Sequence, residues 1–148
     1  MPENTSIFSI FTPGRLCISL IAGFTTFGAY GADWNETHIY NPRWPAHAKF
    51  HNGQTMSMGA ALGLSTLYYL YRPQYNKDSL FTAALLCSMY WVTQASAILY
   101  PGTAWIDPEF GTEADAPQLK GIPVFLGITW LGYWLETRRL SGLKLVGE

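Results

Sequence analysis

Four apolar stretches organise this chain: Leu16 to Tyr30, Met56 to Tyr71, Leu80 to Tyr100 and Ile122 to Leu135. They sit in only 148 residues, so one domain is expected. A helix that crosses a bilayer needs about 20 mostly apolar residues. The third stretch meets that length alone. The others reach it by recruiting polar or aromatic flanks, which places their ends in headgroups or in a polar cavity. A water-soluble helical bundle is the alternative. The polar connecting segments are too few to cover so much apolar surface, and charged residues make up 13% of the chain against about 25% in a soluble domain. The expectation is an all-α, four-transmembrane-helix bundle. It would be a single integral membrane domain over residues 1–148, with helices near 14–32, 46–72, 78–100 and 120–140 and two polar loops on one membrane face.

The breaks between stretches are marked by residues that start or stop helices. Thr12-Pro13-Gly14 precedes the first, and proline is tolerated at a helix start. Arg72-Pro73 ends the second. Asn76-Lys77-Asp78-Ser79 offers capping side chains before the third. Tyr100-Pro101-Gly102 ends the third, and Pro117 and Pro123 bracket the start of the fourth. Ala29-Tyr30-Gly31 loosely fits a signal-peptide cleavage site. The run before it is long and holds only Arg15 as positive charge, so the first stretch is expected to remain as a helix.

Charge placement orients the bundle. With four crossings, the N-terminus, the loop at 73–79 and the C-terminus share one side, which carries Arg15, Arg72, Lys77, Arg138, Arg139 and Lys144. The other side carries only Arg43, Lys49 and Lys120. An excess of Lys and Arg marks the cytoplasmic side, so both termini are expected in the cytosol. The acids Asp33, Glu36, Asp107, Glu109, Glu113 and Asp115 fall on the opposite side, while Glu3, Asp78, Glu136 and Glu148 make up the rest. The net charge of −1 argues against nucleic acid, whose phosphates need a basic surface. Cys17 and Cys87 form no CxxC pair and read as small buried apolar side chains. Gly59 and Gly63 make a GxxxG pattern, which lets backbones approach closely, within one bundle or at a dimer face.

The segment Asp33 to Gln54 holds all three histidines, two acids and two cations. A tether has no need of these types. If Pro45 opens the second helix, His47, His51, Gln54 and Met58 fall along one helical face. Ionisable groups at such depth usually face a bundle interior or a wet cavity. The loop at 101–119 lies on the same side and brings Trp105, Asp107 and Glu109 toward the first loop. Gln94 could add a polar group from the third helix. The plainer readings are interfacial side chains reaching headgroups and a solvated turn at Asp107-Pro108-Glu109.

Two chemistries suit this set. A carboxylate and an imidazole, partly desolvated, can perform general acid–base catalysis on a lipophilic molecule. Alternatively, His47 and His51 have HxxxH spacing that can place two imidazoles on one metal, with Asp33, Glu36 or His38 completing the shell. That spacing arises easily by chance, so neither a metal nor another cofactor is assigned. No GxSxG elbow and no Gly-rich phosphate loop is present.

The run Asp33-Trp34-Asn35-Glu36-Thr37-His38, continued by Asn41-Pro42-Arg43-Trp44-Pro45-Ala46-His47-Ala48-Lys49-Phe50-His51, resembles the signature of small fungal four-helix membrane proteins that include epoxide hydrolases of aurovertin- and citreoviridin-type polyketide pathways. The resemblance is close over the first loop and second helix and elsewhere rests on length and helix count. It implies an enzyme of fungal secondary metabolism in the endoplasmic reticulum or a related endomembrane. Such an enzyme would open an epoxide on a lipophilic polyketide, by water to a diol or by an internal hydroxyl to a cyclic ether. Side-chain chemistry then suggests Asp33 or Glu36 as base and His47 or His51 as proton donor. Trp34, Tyr40 and Trp44 would line an apolar slot, with Asn35 and Gln54 placing a water. The rivals are an isomerase or cyclase using the same residues, a metalloenzyme, and a non-catalytic partner that organises other pathway enzymes.

Overall fold

The computed structural model describes residues 10–145, with side chains through residue 142; Glu3 and Glu148 of the charge count lie outside the described residues. Four long helices account for the fold: α1 (Pro13–Asp33), α2 (Ala46–Tyr71), α3 (Lys77–Ser96) and α4 (Gln118–Leu145). Short 3-10 turns occupy Ala97–Leu99 and Glu113–Asp115, and no strand occurs among the described residues.

The helix ends follow local chemistry. Thr12 caps α1 by accepting from the Arg15 amide at 3.3 Å, with Pro13 in the first turn. Asn76 caps α3 through Ser79, at 2.9 Å. Pro45 precedes α2 as its N-cap residue, in extended conformation, rather than opening its first turn. α4 starts five residues before Pro123 and contains it. A proline so near a helix start gives up only the bond its amide would have made to Leu119.

Each helix packs on its neighbours in sequence, and α1 packs on α4 to close the ring. Small residues permit the close approaches. A Cβ on Gly59 would fall 2.7 Å from the Thr25 carbonyl oxygen, and one on Gly63 would fall 2.6 Å from that of Ala22. The GxxxG face therefore joins α2 to α1 inside one bundle. Gly14 and Gly132 serve the α1–α4 seam in the same way, each 2.7 Å from the other's carbonyl oxygen if given a Cβ.

The bundle buries polar as well as apolar side chains and also turns large apolar side chains outward. Thr25, Thr26, Thr66, Ser88, Thr129 and Glu136 are buried beside Ile18, Ile21, Leu70, Leu80 and Cys87. The hydroxyls of Thr25, Thr26, Thr66, Ser88 and Thr129 bond back to carbonyls one turn earlier, at 2.7–2.9 Å, so they need no water. Large apolar side chains face outward on every helix: Phe27 on α1, Leu64 on α2, Val92 on α3 and Leu131 on α4 are all at least half exposed. Two helical segments, Pro13–Asp33 and Lys77–Leu99, are long and apolar enough to cross a membrane, with mean hydropathy 1.2 and 1.3.

Candidate functional site

The alternating helix directions bring the loops 34–45 and 97–117 to one end of the bundle. They are tied there by Glu109. Asn41, 1% exposed, donates to Glu109 at 3.0 Å, and Arg43 forms an ion pair with the same carboxylate. The acid of Asp107-Pro108-Glu109 that matters is thus a clamp on the first loop.

Beneath that clamp lies Asp33, the last residue of α1. Its Oδ2 accepts from the Asn52 amide on α2 at 2.8 Å, and its Oδ1 lies 3.9 Å from His38 Nε2. His38 reaches it through a tight turn. Asn35 donates from Nδ2 to the Ala32 carbonyl at 2.7 Å, and its Oδ1 accepts from the Thr37 amide at 2.8 Å. These two backbone partners settle which end of the Asn35 amide is oxygen. The Thr37 hydroxyl, 2.7 Å from that oxygen, must donate to it. Its single proton is then used, so toward His38 Nδ1, also at 2.7 Å, it can only accept. The proton of a neutral His38 ring therefore sits on Nδ1, and the Nε2 lone pair faces Asp33.

The 3.9 Å separation exceeds a hydrogen bond. It leaves a neutral Nε2 and a carboxylate facing one another across a gap that a water or hydroxyl can bridge. Trp44, half-buried, meets the His38 ring edge-on with centroids 4.9 Å apart. Tyr90 on α3 is 8% exposed. Two amide oxygens, Asn52 Oδ1 and Gln94 Oε1, are buried without a hydrogen-bond partner among the described residues.

The other residues singled out from sequence sit differently. His47, His51 and Gln54 share a face, as their spacing requires, but that face is exposed. His51 bonds to His47 and Gln54 and, among the described residues, to no carboxylate. Glu36, Trp34 and Tyr40 are also exposed. Trp34 donates to the Tyr40 hydroxyl at 2.7 Å and stacks on Tyr30. Asn35 orients Thr37 and, through it, His38. Among the described residues no group of three or more His, Cys, Asp or Glu gathers around a possible metal, so Asp33, Glu36 and His38 do not join His47 and His51 in one shell.

A family of unknown function, DUF6640, matches residues 17–145. The chain belongs to DUF6640. The match takes in all of α2, α3 and α4, most of α1, and both loops of the candidate site in this DUF6640 protein. No curated protein and no solved structure matches it.

At the opposite end, this DUF6640 chain carries a second polar cluster that sequence reasoning counted only as scattered charges. Glu136, 1% exposed, accepts from Thr12 at 2.5 Å and from Arg139 at 2.6 and 3.0 Å, and Arg15 Nε lies 3.5 Å away. Arg15 also stacks over the Tyr75 ring at 3.9 Å. Burial pushes the Tyr75 phenol up to about 12, with the nearby Arg15 pulling the other way. The signal available in sequence was an acid placed amid an apolar helix end, facing an arginine one turn inside α1.

Proposed function

We propose that this protein is a four-span membrane enzyme that uses His38 and Asp33 as an acid–base pair to open an epoxide on a lipophilic polyketide. The Asp33–His38 relationship carries the reading: a carboxylate held by Asn52 faces an imidazole lone pair whose tautomer is set by Thr37. Large apolar side chains facing outward on all four helices, with buried hydroxyls satisfied within their own helices, support four crossings. The excess of Lys and Arg at the end bearing Arg15 and Arg139 supports cytosolic termini, and an endomembrane of the endoplasmic reticulum type fits the resemblance of the first loop.

In the proposed step, His38 Nε2 removes a proton from water, or from a hydroxyl of the substrate, as its oxygen attacks an epoxide carbon. The C–O bond opens and its electron pair goes to the epoxide oxygen. That oxygen finally receives the proton from His38. Asp33 stabilises the transient imidazolium. Trp44 packs edge-on against the ring and steadies it. Asp33 keeps a place in this scheme, while Glu36, His47 and His51 have none.

The test is turnover of a polyene epoxide by membranes in oxygen-labelled water. One labelled oxygen in a diol is expected for hydrolysis and none for internal cyclisation. His38→Ala should lower the rate by about 10²–10⁴-fold, the usual worth of a positioned acid–base group. His47→Ala should leave it within about twofold, since an exposed group off the reacting centre contributes little. Equal rates for His38→Ala and the parent would end the proposal.

A further inference from the structure

The exposed pair His47 and His51 is left unused by the acid–base reading, and its geometry is specific. The two Nε2 atoms face each other at 3.1 Å. Two imidazole nitrogens bound to one ion at about 2.0–2.1 Å stand about 2.9 Å apart at a right angle and about 3.3 Å apart at a tetrahedral angle. The observed separation lies between those limits, so one ion can bind both nitrogens without changing their spacing, each ring turning its lone pair off the line between them. The neighbours favour this arrangement. His51 Nδ1 lies 3.2 Å from Gln54 Oε1, which holds the ring proton on Nδ1 and leaves Nε2 free to bind. His47 lies parallel to Phe50, 5.9 Å between centroids and 3° between planes. Both imidazoles are exposed, so an ion has open access and water can fill its remaining positions.

We infer that His47 and His51 form a two-imidazole site for a divalent transition metal of the zinc or copper class, at the N-terminal end of α2. Without metal, His47 Nε2–H donates to His51 Nε2. On binding, the His47 proton moves to Nδ1 and both Nε2 atoms coordinate, with no change in the number of protons held. The positive end of the α2 dipole opposes a cation, but that effect is weak at an exposed position. Imidazole prefers these metals over calcium or magnesium. The site uses none of the groups assigned to epoxide opening, so it stands or falls separately from that function.

Zinc titration of the full chain in detergent, followed by calorimetry and by competition with a chromophoric chelator, tests the inference. One ion per chain is expected, with no comparable uptake of magnesium. His47→Ala and His51→Ala should each weaken binding by more than about tenfold, because even an outer partner of a ligand is worth about 10–100-fold. His38→Ala should bind as the parent does. No saturable zinc binding by the parent would overturn the site. So would binding that survives both alanine variants, or binding that is lost in His38→Ala.

Discussion

Asn52 donates to Asp33 at 2.8 Å and thereby joins the end of α1 to the start of α2 across the first loop. Asn52 is 8% exposed, and its amide oxygen is buried without a partner among the described residues. One side chain thus supplies the fixed donor that orients a carboxylate and a free acceptor beside it.

Replacing Asn52 with Leu keeps the volume and removes the donor. Asp33, whose side chain is 16% exposed, then loses the fixed donor to its Oδ2, which costs about 1–3 kcal/mol. Thermal unfolding in detergent should show the loss, and Asn52→Asp, which adds a like charge, should be worse. Unchanged stability in both variants would mean that the Asn52–Asp33 bond contributes nothing.

Gly63 and Gly28 make an internal comparison. A Cβ at Gly63 would collide with the Thr26 hydroxyl and the Ala22 carbonyl, whereas nothing lies within 4 Å of one at Gly28. Gly63→Ala should lose about 1–3 kcal/mol through forced separation of α1 and α2. Gly28→Ala should be neutral or gain up to about 1 kcal/mol from helix propensity. Thermal unfolding of the two side by side is the measurement. Analytical ultracentrifugation should show the same oligomeric state in both, since this GxxxG face is already occupied within the bundle.

Removing the Glu136 carboxylate leaves Arg15 buried without its counter-charge. Breaking a buried pair from one side costs about 3–5 kcal/mol, whereas replacing both partners by apolar groups is often neutral. Glu136→Gln should therefore unfold at much lower temperature than the double variant Arg15→Met/Glu136→Leu. If the double variant is the less stable, the cluster stabilises the fold beyond mutual compensation.

Alkaline titration reads Tyr75. Burial raises its folded pKa from the ordinary 10.0 to about 12. A group raised in the folded state contributes stability that is complete below its unfolded pKa and is lost as pH climbs through the folded one. That contribution should be intact below pH 10 and disappear toward pH 12. Phenolate absorbance of Tyr75→Phe should lack one group from the late step of the parent titration. Loss of a group from the step near pH 10 would show that burial does not govern this phenol.

The helix count was legible because each apolar run is bounded by residues with strong local preferences, such as Thr12-Pro13 and Asn76. The face of α2 was less obvious. His47, His51 and Gln54 repeat at helical spacing, and so do Asn52, Met56, Gly59 and Gly63. Only the second set is buried. The GxxxG pattern carried the clue, because extending its register back by one and two turns reaches Met56 and Asn52. Glycines at a close helix contact constrain orientation more tightly than polar residues, which can serve equally at a rim.

Local composition determined how many helices form and how apolar each one is, because capping, proline geometry and hydropathy act over a few residues. Tertiary structure decided which histidine meets Asp33. His38 is five residues from Asp33 and approaches it through the Asn35–Thr37 turn, while His47 and His51 lie on the exposed face of α2. Asn52, 19 residues from Asp33, becomes its hydrogen-bond partner only when α2 folds back on α1. Such contacts depend on the rotation of one helix against another, which is set by the steric fit of Gly59 and Gly63 on Thr25, Thr26 and Ala22.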